Sequence, residues 1–263
     1  TYGSLINTEY NIINKFFTVA IFRNYFNGDT LITDSTNKDD IYYAISQSKN
    51  NNWEYNGYPI VDWDVSNVVN MYGLFSGEKN FNQDISGWIV DNVTNMESMF
   101  WNAQIFNKNI NDWNVSNVTN MKIMFMFTYA FNQPLDKWNV SNVFDMNQMF
   151  NYSSFIQNIN DWIVSNVTDM VGMFANNKYN QPLNNWNVKN VNNMSSMFKK
   201  NTTFNKDISS WNVENVTNMS GMFQSASNFN QNIRIWNVPN VTSFENMFNA
   251  STAMINIYSL ESN

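Results

Sequence analysis

The stretch Trp113-Asn-Val-Ser-Asn-Val-Thr-Asn-Met-Lys-Ile-Met-Phe125, continued by Phe131-Asn-Gln-Pro-Leu135, returns with small changes along most of this chain. Its Trp falls at 63, 88, 113, 138, 162, 186, 211 and 236, at spacings of 25, 25, 25, 24, 24, 25 and 25 residues. Counting from each Trp, Val stands at position 2, Asn at position 4 and Val at position 5. Met or Phe follows at position 8, Met or Leu at 11 and Phe at 12. Then come an aromatic, usually Asn-Gln or Asn-Lys, and an Ile or Leu three residues before the next Trp. A fixed period of about 20–50 residues marks a solenoid, a propeller or an array, and a four-stranded propeller blade needs about 40 or more. The period therefore predicts a repeat solenoid, leucine-rich-repeat-like, whose ~25-residue coils each have one short parallel strand and one short helix.

Within the coil, Val118, Met121, Met124 and Phe125 are spaced as one apolar face of about two helical turns. Around Trp113 and Val115 apolar and polar residues alternate, which predicts the strand. Ile110 breaks that alternation, so a bend or bulge is expected between it and Trp113. Both one-residue slips shorten the segment from the Phe at position 12 to the next aromatic, Phe150 to Phe155 and Phe174 to Tyr179. Packed ladders do not tolerate length change, so this segment reads as the loop.

The most constrained position is polar. Asn67, Asn92, Asn117, Asn142, Asn166, Asn190, Asn215 and Asn240 occupy position 4 of every unit. Two structural roles compete. One is a helix N-cap; the other is an inward ladder that satisfies backbone groups along the stack. Ser or Asp would also serve as a cap, whereas an amide both donates and accepts, which favours the ladder. The Trp row, Trp63, Trp88, Trp113, Trp138, Trp162, Trp186, Trp211 and Trp236, shares the Val side of the alternation. It reads as a core ladder rather than a sugar-stacking surface. Trp53 and Trp101 lie outside that row, and Trp101 is the one expected to be exposed. Met pairs such as Met121 and Met124 read as adaptable core filler rather than a metal box.

Composition narrows the chemistry. About one residue in five is Asn; there are 16 Met, 10 Trp and 21 Phe, and neither Cys nor His. Disulfides, thiolate nucleophiles, His bases and Cys- or His-ligated metal sites are thereby excluded. A net charge of −7 with 13% charged residues argues against a nucleic-acid partner, which needs a basic stripe. The remaining acid–base candidates are scattered carboxylates: Asp84, Asp136 and Asp207, then Asp112 and Asp161 beside Trp, with Asn or Ser in other units. Asp62 and Asp64 alone fall short of a calcium loop. No catalytic residue, metal site or cofactor is expected. Positions 1 and 3 after Trp, and 2 and 4 before it, vary freely; they form candidate contact rows that include Ile89, Asp91, Lys189, Glu214 and Arg234.

Phe81-Asn-Gln-Asp-Ile-Ser-Gly-Trp88, followed by Asp91-Asn-Val-Thr-Asn-Met96 and Ser98-Met-Phe100, resembles the roughly 25–26-residue repeat of bacterial surface proteins. That repeat occurs in mycoplasma lipoproteins and in BspA-like proteins, and similar repeats occur in giant DNA viruses. The resemblance covers about Ile60 to Phe248. It implies a leucine-rich-repeat-like solenoid used for surface display, adhesion or protein interaction, and it brings no catalytic residues. The implied location is the cell surface or the secreted fraction, with a virion component as the alternative.

The ends of such a stack need covers. Residues 1–35 are expected to be an arm or capping segment, and 36–59 a helical cap whose helix starts at Asn37 or Asp39 and runs to Ser48. The eight Trp-phased repeats occupy 60–248. An incomplete coil at 249–263 carries Met254-Ile-Asn-Ile-Tyr-Ser-Leu260 as a last strand, either covered or open as an assembly edge. The apolar run Phe16–Phe22 is too short for a bilayer, which needs about 20 residues, so no membrane span is expected. The chain starts at Thr1, as a mature or trimmed product would. The expected function is non-catalytic binding of a protein partner or cell surface. The alternative is a structural part of a larger assembly with self-association through the termini; glycan binding ranks third.

Overall fold

The computed structural model describes residues 41–254. It opens with a cap. Helix α1, Ile41–Ser48, buries Ile41, Ala44, Ile45 and Ser48 on one face. At its end the Ser48 carbonyl accepts from the amides of Asn51 and Trp53, and Trp53 takes a left-handed φ of 61°. The chain then forms a short antiparallel hairpin, β1 (Glu54–Tyr55) with β2 (Tyr58–Pro59), pairing Glu54 with Pro59 and Tyr55 with Tyr58. A 3-10 turn, Ile60–Asp62, delivers the first repeat Trp. The turn at Trp53 places its indole against Phe81 at 4.7 Å and Phe75 at 6.0 Å, so helix and hairpin roof the first coil. Tyr42 Oη donates to the Tyr72 carbonyl at 2.8 Å and ties α1 to that coil. The expected helix start at Asn37 or Asp39 and the 1–35 segment lie outside the described residues.

Strand and helix fall elsewhere than the apolar spacing predicts. Parallel pairing runs through position 7 of each coil: Asn70, Asn95, Asn120, Asp145, Asp169, Asn193, Asn218 and Ser243. From there, amides at alternate positions donate to the following coil. In the third coil Met121 donates to Asp145, Ile123 to Asn147, Phe125 to Met149 and Phe127 to Asn151, at 2.8–3.0 Å. The amides in between fold back three residues, Met124 to Met121, Met126 to Ile123 and Thr128 to Phe125. Val118–Phe125 is thus a ribbon of linked turns, and no α-helix forms there.

The physical reason lies in two backbone positions. Position 10 has a φ between 52° and 61° in all eight coils, through Gly73, Ser98, Ile123, Gln148, Gly172, Ser196, Gly221 and Asn246. Position 14 is likewise left-handed in every coil, from Gly77 to Ala250. A residue at such φ breaks a right-handed helix, at about 1 kcal/mol or more for an L side chain. Here it turns alternate amides toward the next coil. The Trp113–Val115 segment is not a strand either. Trp113 donates its amide to the Ile110 carbonyl and Val118 to that of Val115, so Trp sits between two tight turns.

Apolar side chains still meet inside. The Phe residues at position 12 form one column from Phe75 to Phe248, with neighbouring ring centroids 5.5–5.9 Å apart. The second aromatic of each coil lies flat on the first, at 3.8 Å for Phe75–Phe81 and 4.3 Å for Phe174–Tyr179. Trp, Val and Met of the inner coils are buried around these columns. Stacked aromatic surface contributes dispersion beyond the area it removes from water.

The two 24-residue coils keep this stack by a side-chain substitution. In most 25-residue coils the second aromatic donates its amide to a backbone carbonyl, as Phe131 does to Thr128 at 3.3 Å, although Phe204 already uses a side chain, Asn201 Oδ1. One residue shorter, the Phe155 amide donates instead to Ser153 Oγ at 3.2 Å, and that of Tyr179 to Asn177 Oδ1. Asn177 Nδ2 then donates to the Ser153 carbonyl at 2.7 Å, linking the two short coils. At the far end, 252–254 is helical and Met254 is buried, so the expected last strand does not begin there. Its remaining residues, 255–260, lie outside the described residues.

Candidate functional site

Position 4 bonds the coils from outside. Asn92 Nδ2 donates to the Ser66 carbonyl at 2.8 Å, Asn117 to Asp91 at 2.7 Å and Asn142 to Ser116 at 2.7 Å. The series continues through Asn166 to Ser141, Asn190 to Ser165, Asn215 to Lys189 and Asn240 to Glu214. Asn67 heads the row in the first coil. All eight Asn are exposed, so the row faces solvent rather than inward, and it caps no helix. Asn is needed because a carboxylate cannot donate to a carbonyl.

A second amide row follows the second aromatic. The amides of Asn107, Asn132 and Ile156 each donate to the Asn side chain one coil back, Asn82, Asn107 and Asn132, at 3.0 Å. At position 7, Asn or Asp side chains accept from the amide two residues on, as Asn120 does from Lys122. Four residues before Trp the same local turn is made by Asp84, Asn109, Asn158, Asp207 and Asn232, while Pro59, Pro134 and Pro182 stand before the other three Trp. Asx side chains and Pro reach that turn by different means, a side-chain acceptor and a preset φ. Much of the Asn excess is therefore backbone hydrogen bonding.

The Trp row is interior and satisfied. Trp113 Nε1 donates to the Ile85 carbonyl at 3.1 Å, and every other repeat Trp from Trp88 to Trp236 makes the same bond to the coil before it. Trp63 donates to the Tyr58 carbonyl of the cap. Trp53 is buried as well, under the cap, whereas Trp101 is 36% exposed.

The carboxylates are spent on turns and neighbours. Asp84 and Asp207 accept from the amides of Ser86 and Ser209, which hold both below the ordinary Asp value, assisted at Asp84 by the Lys108 charge. Asp136 accepts from Asn111 Nδ2, Asp161 from Asn185 Nδ2 and Asp64 from the Ser66 amide. Asp112 pairs with Lys137 at 2.6 Å, and that bond raises the Lys137 ammonium. Among the described residues no three carboxylates gather to hold a metal ion. Asp145, half-buried, is pushed up by burial, with the Asp169 and Glu97 charges adding, against the Asn147 amide and Lys122.

The candidate contact residues separate into two groups. Asp91, Lys189 and Glu214 share position 3, where their carbonyls receive the Asn ladder and their side chains point away from the core. Only Lys189 and Glu214 are on adjacent coils. Ile89 is 57% exposed at position 1, and Arg234 is exposed two residues before Trp236. A further set was not picked out by residue type alone: Phe127, Tyr129 and Tyr152, beside Trp101. The available signal was an aromatic at position 14, where Gly77 and Asn102 mark a left-handed backbone.

Among the described residues no helix is long and apolar enough to cross a membrane. No curated protein and no solved structure matches the chain. One family does, twice, over residues 43–157 and again over 151–259. The chain belongs to the family described as Mycoplasma protein of unknown function, DUF285.

Proposed function

We propose that this repeat protein is a non-catalytic, leucine-rich-repeat-like solenoid that works at a surface, binding a protein partner or a cell. The observation that supports this reading is the division of labour within the coil. Positions that recur are occupied by core packing and coil-to-coil bonds, and positions that vary carry outward side chains on a regular lattice. Parallel coils about 4.8 Å apart set eight such positions in a row roughly 40 Å long. Neutral, polar rows of this kind bind through area and multivalency rather than charge steering. Position 3 offers a clean test, since Ser66, Ser116, Ser141 and Ser165 show that Ser fits there. The triple variant Asp91→Ser, Lys189→Ser, Glu214→Ser keeps its melting temperature and loses binding to cells or to a panel of extracellular proteins. Unaltered binding contradicts the role of that row.

A second reading, a component of a larger assembly, draws on the last coil. Phe244 is 47% exposed there, and the amides of Phe244, Asn246, Phe248 and Ala250 donate to no carbonyl among the described residues. Open edges of this kind template association. Self-association that Phe244→Ser abolishes supports assembly; a monomer at high concentration supports display.

A further inference from the structure

Beyond that reading, we infer a binding site for an acidic oligosaccharide on the segment between positions 13 and 16 of coils two to six. It uses other positions of the coil than the contact rows and does not depend on them. Three observations carry it.

The first is an aromatic surface held at a conformational cost. Phe127 and Tyr152 occupy position 14 with φ of 62° and 56°, where bulky L residues are outliers. Neighbouring coils place Gly77, Asn102 and Asn176 at this point. The two rings stack on each other at 5.0 Å, and Trp101 and Tyr129 meet Phe127 edge-on at 6.5 and 6.3 Å. Trp101, Tyr129 and Tyr152 remain 36%, 51% and 40% exposed, so burial does not explain them. Strain kept at a surface points to use.

The second is what borders the aromatics. A groove of about 390 Å³ runs from Tyr152 past Gln148, Asn151 and Asn176 to Lys199 and Lys200. Its amides are already oriented: Asn176 Nδ2 donates to Asn151 Oδ1, and Asn151 Nδ2 to Gln148 Oε1. Buried Gly172 lies in the groove; a Cβ there would come within 3.1 Å of Gln148 Cγ. Aromatic faces that accept the apolar side of a pyranose, next to amides that both donate and accept, match a ring carrying hydroxyls.

The third is charge. The segments 101–106, 126–131, 151–155, 175–179 and 199–204 hold no Asp or Glu, in a chain of net charge −7. They do hold Lys178, Lys199 and Lys200 at the end away from Trp101. The ion pairs among the described residues, Lys49–Glu78 and Lys137–Asp112, leave these three lysines out. Aromatics at one end and ammonium groups at the other suit a ligand with several rings and sparse anionic groups, carboxylate or sulfate. A nucleic acid, with a phosphate on every unit, would require lysines along the whole groove.

The test titrates the full chain by calorimetry with a hyaluronan hexasaccharide, a chondroitin sulfate hexasaccharide, neutral chitohexaose and a short oligothymidylate. We expect at least one acidic hexasaccharide to bind, about tenfold or more tighter than chitohexaose. Tyr152→Asn weakens that binding about tenfold, as loss of one aromatic anchor does, without lowering the melting temperature, because Asn suits the left-handed backbone. Lys199→Gln, a half-buried side chain outside the aromatic stack, weakens acidic ligands and leaves chitohexaose unchanged. Failure of both acidic probes to bind, equal binding of the neutral one, tighter binding of oligothymidylate, or indifference to both substitutions overturns the inference.

Discussion

The first and last coils carry Val, Val and Phe at the same three core positions and bury them differently. Val65, Val68 and Phe75 are buried under the cap made by α1, Trp53 and Tyr55, whereas Val238, Val241 and Phe248 at the far end are only partly buried. The backbone repeats the contrast. Gly73 and Phe75 donate amides to the second coil, while Asn246 and Phe248 meet no acceptor among the described residues. Position in the repeat sets the direction of a side chain, and the neighbouring layer decides whether it is buried. Stability in this protein is therefore a property of interfaces between coils, as nearest-neighbour models of repeat arrays require.

The largest effect that would break this contrast comes from the Phe column. Phe125→Ala, between two coils, should cost about 3–5 kcal/mol, whereas Phe248→Ala should cost about 1 kcal/mol or less, as read from urea unfolding midpoints. Similar losses at both would contradict the interface account. Next comes the Asn row. Asn142→Asp removes the donor to the Ser116 carbonyl and sets an acceptor in its place, a loss of about 2 kcal/mol. Asn67→Asp in the first coil, whose side-chain amide meets no carbonyl among the described residues, should stay within about 0.5 kcal/mol. A smaller, opposite effect is expected at Tyr179, whose buried hydroxyl makes no well-formed hydrogen bond among the described residues, only a weak approach to the Ile159 backbone, and whose phenol burial pushes well above the usual value. Tyr179→Phe should stabilise by about 1 kcal/mol, while Phe248→Tyr in the last coil, where the ring is only partly buried, should change stability little.

The smallest effect depends on pH. Asp145 and Asp169 stand next to each other in the position-7 row, where most coils have Asn. Because burial raises the Asp145 carboxyl in the folded state, its folded form holds a proton more tightly than its unfolded form. Its contribution to stability is thus present below the unfolded value of about 3.9 and lost as pH rises through the raised one. Asp145→Asn should match the parent at pH 4 and gain a few tenths of a kcal/mol on it by pH 7. A gain at acidic pH alone would reverse the sign.

Much of this was legible in the sequence, and the errors lie where one pattern suits two geometries. The 25-residue phase, the Trp and Val directions and the site of the two slips depend only on stacking equivalent positions, which any coil geometry preserves. Val118, Met121, Met124 and Phe125 were spaced for a helix face, yet a ribbon of turns sends the same four inward. Apolar spacing cannot separate the two. Gly73, Gly172 and Gly221 at one position and Gly77 at another could have, since glycine recurring in phase marks left-handed backbone rather than helix. The ladder reading followed from an amide's capacity both to donate and to accept. Its outward direction did not, because a polar row on the core side and one on the solvent side read alike. The aromatic edge was missed except for Trp101, because Phe127 and Tyr152 look like core until their backbone position is known.

Hydrogen exchange of individual amides tests the central claim most directly. If coils are held by amides donated forward from positions 8, 10, 12 and 14, then Met219, Gly221, Phe223 and Ser225 exchange slowly. Phe244, Asn246, Phe248 and Ala250, one coil later, exchange orders of magnitude faster, because no carbonyl among the described residues receives them. Equal protection of the two sets, in the monomer, would contradict it.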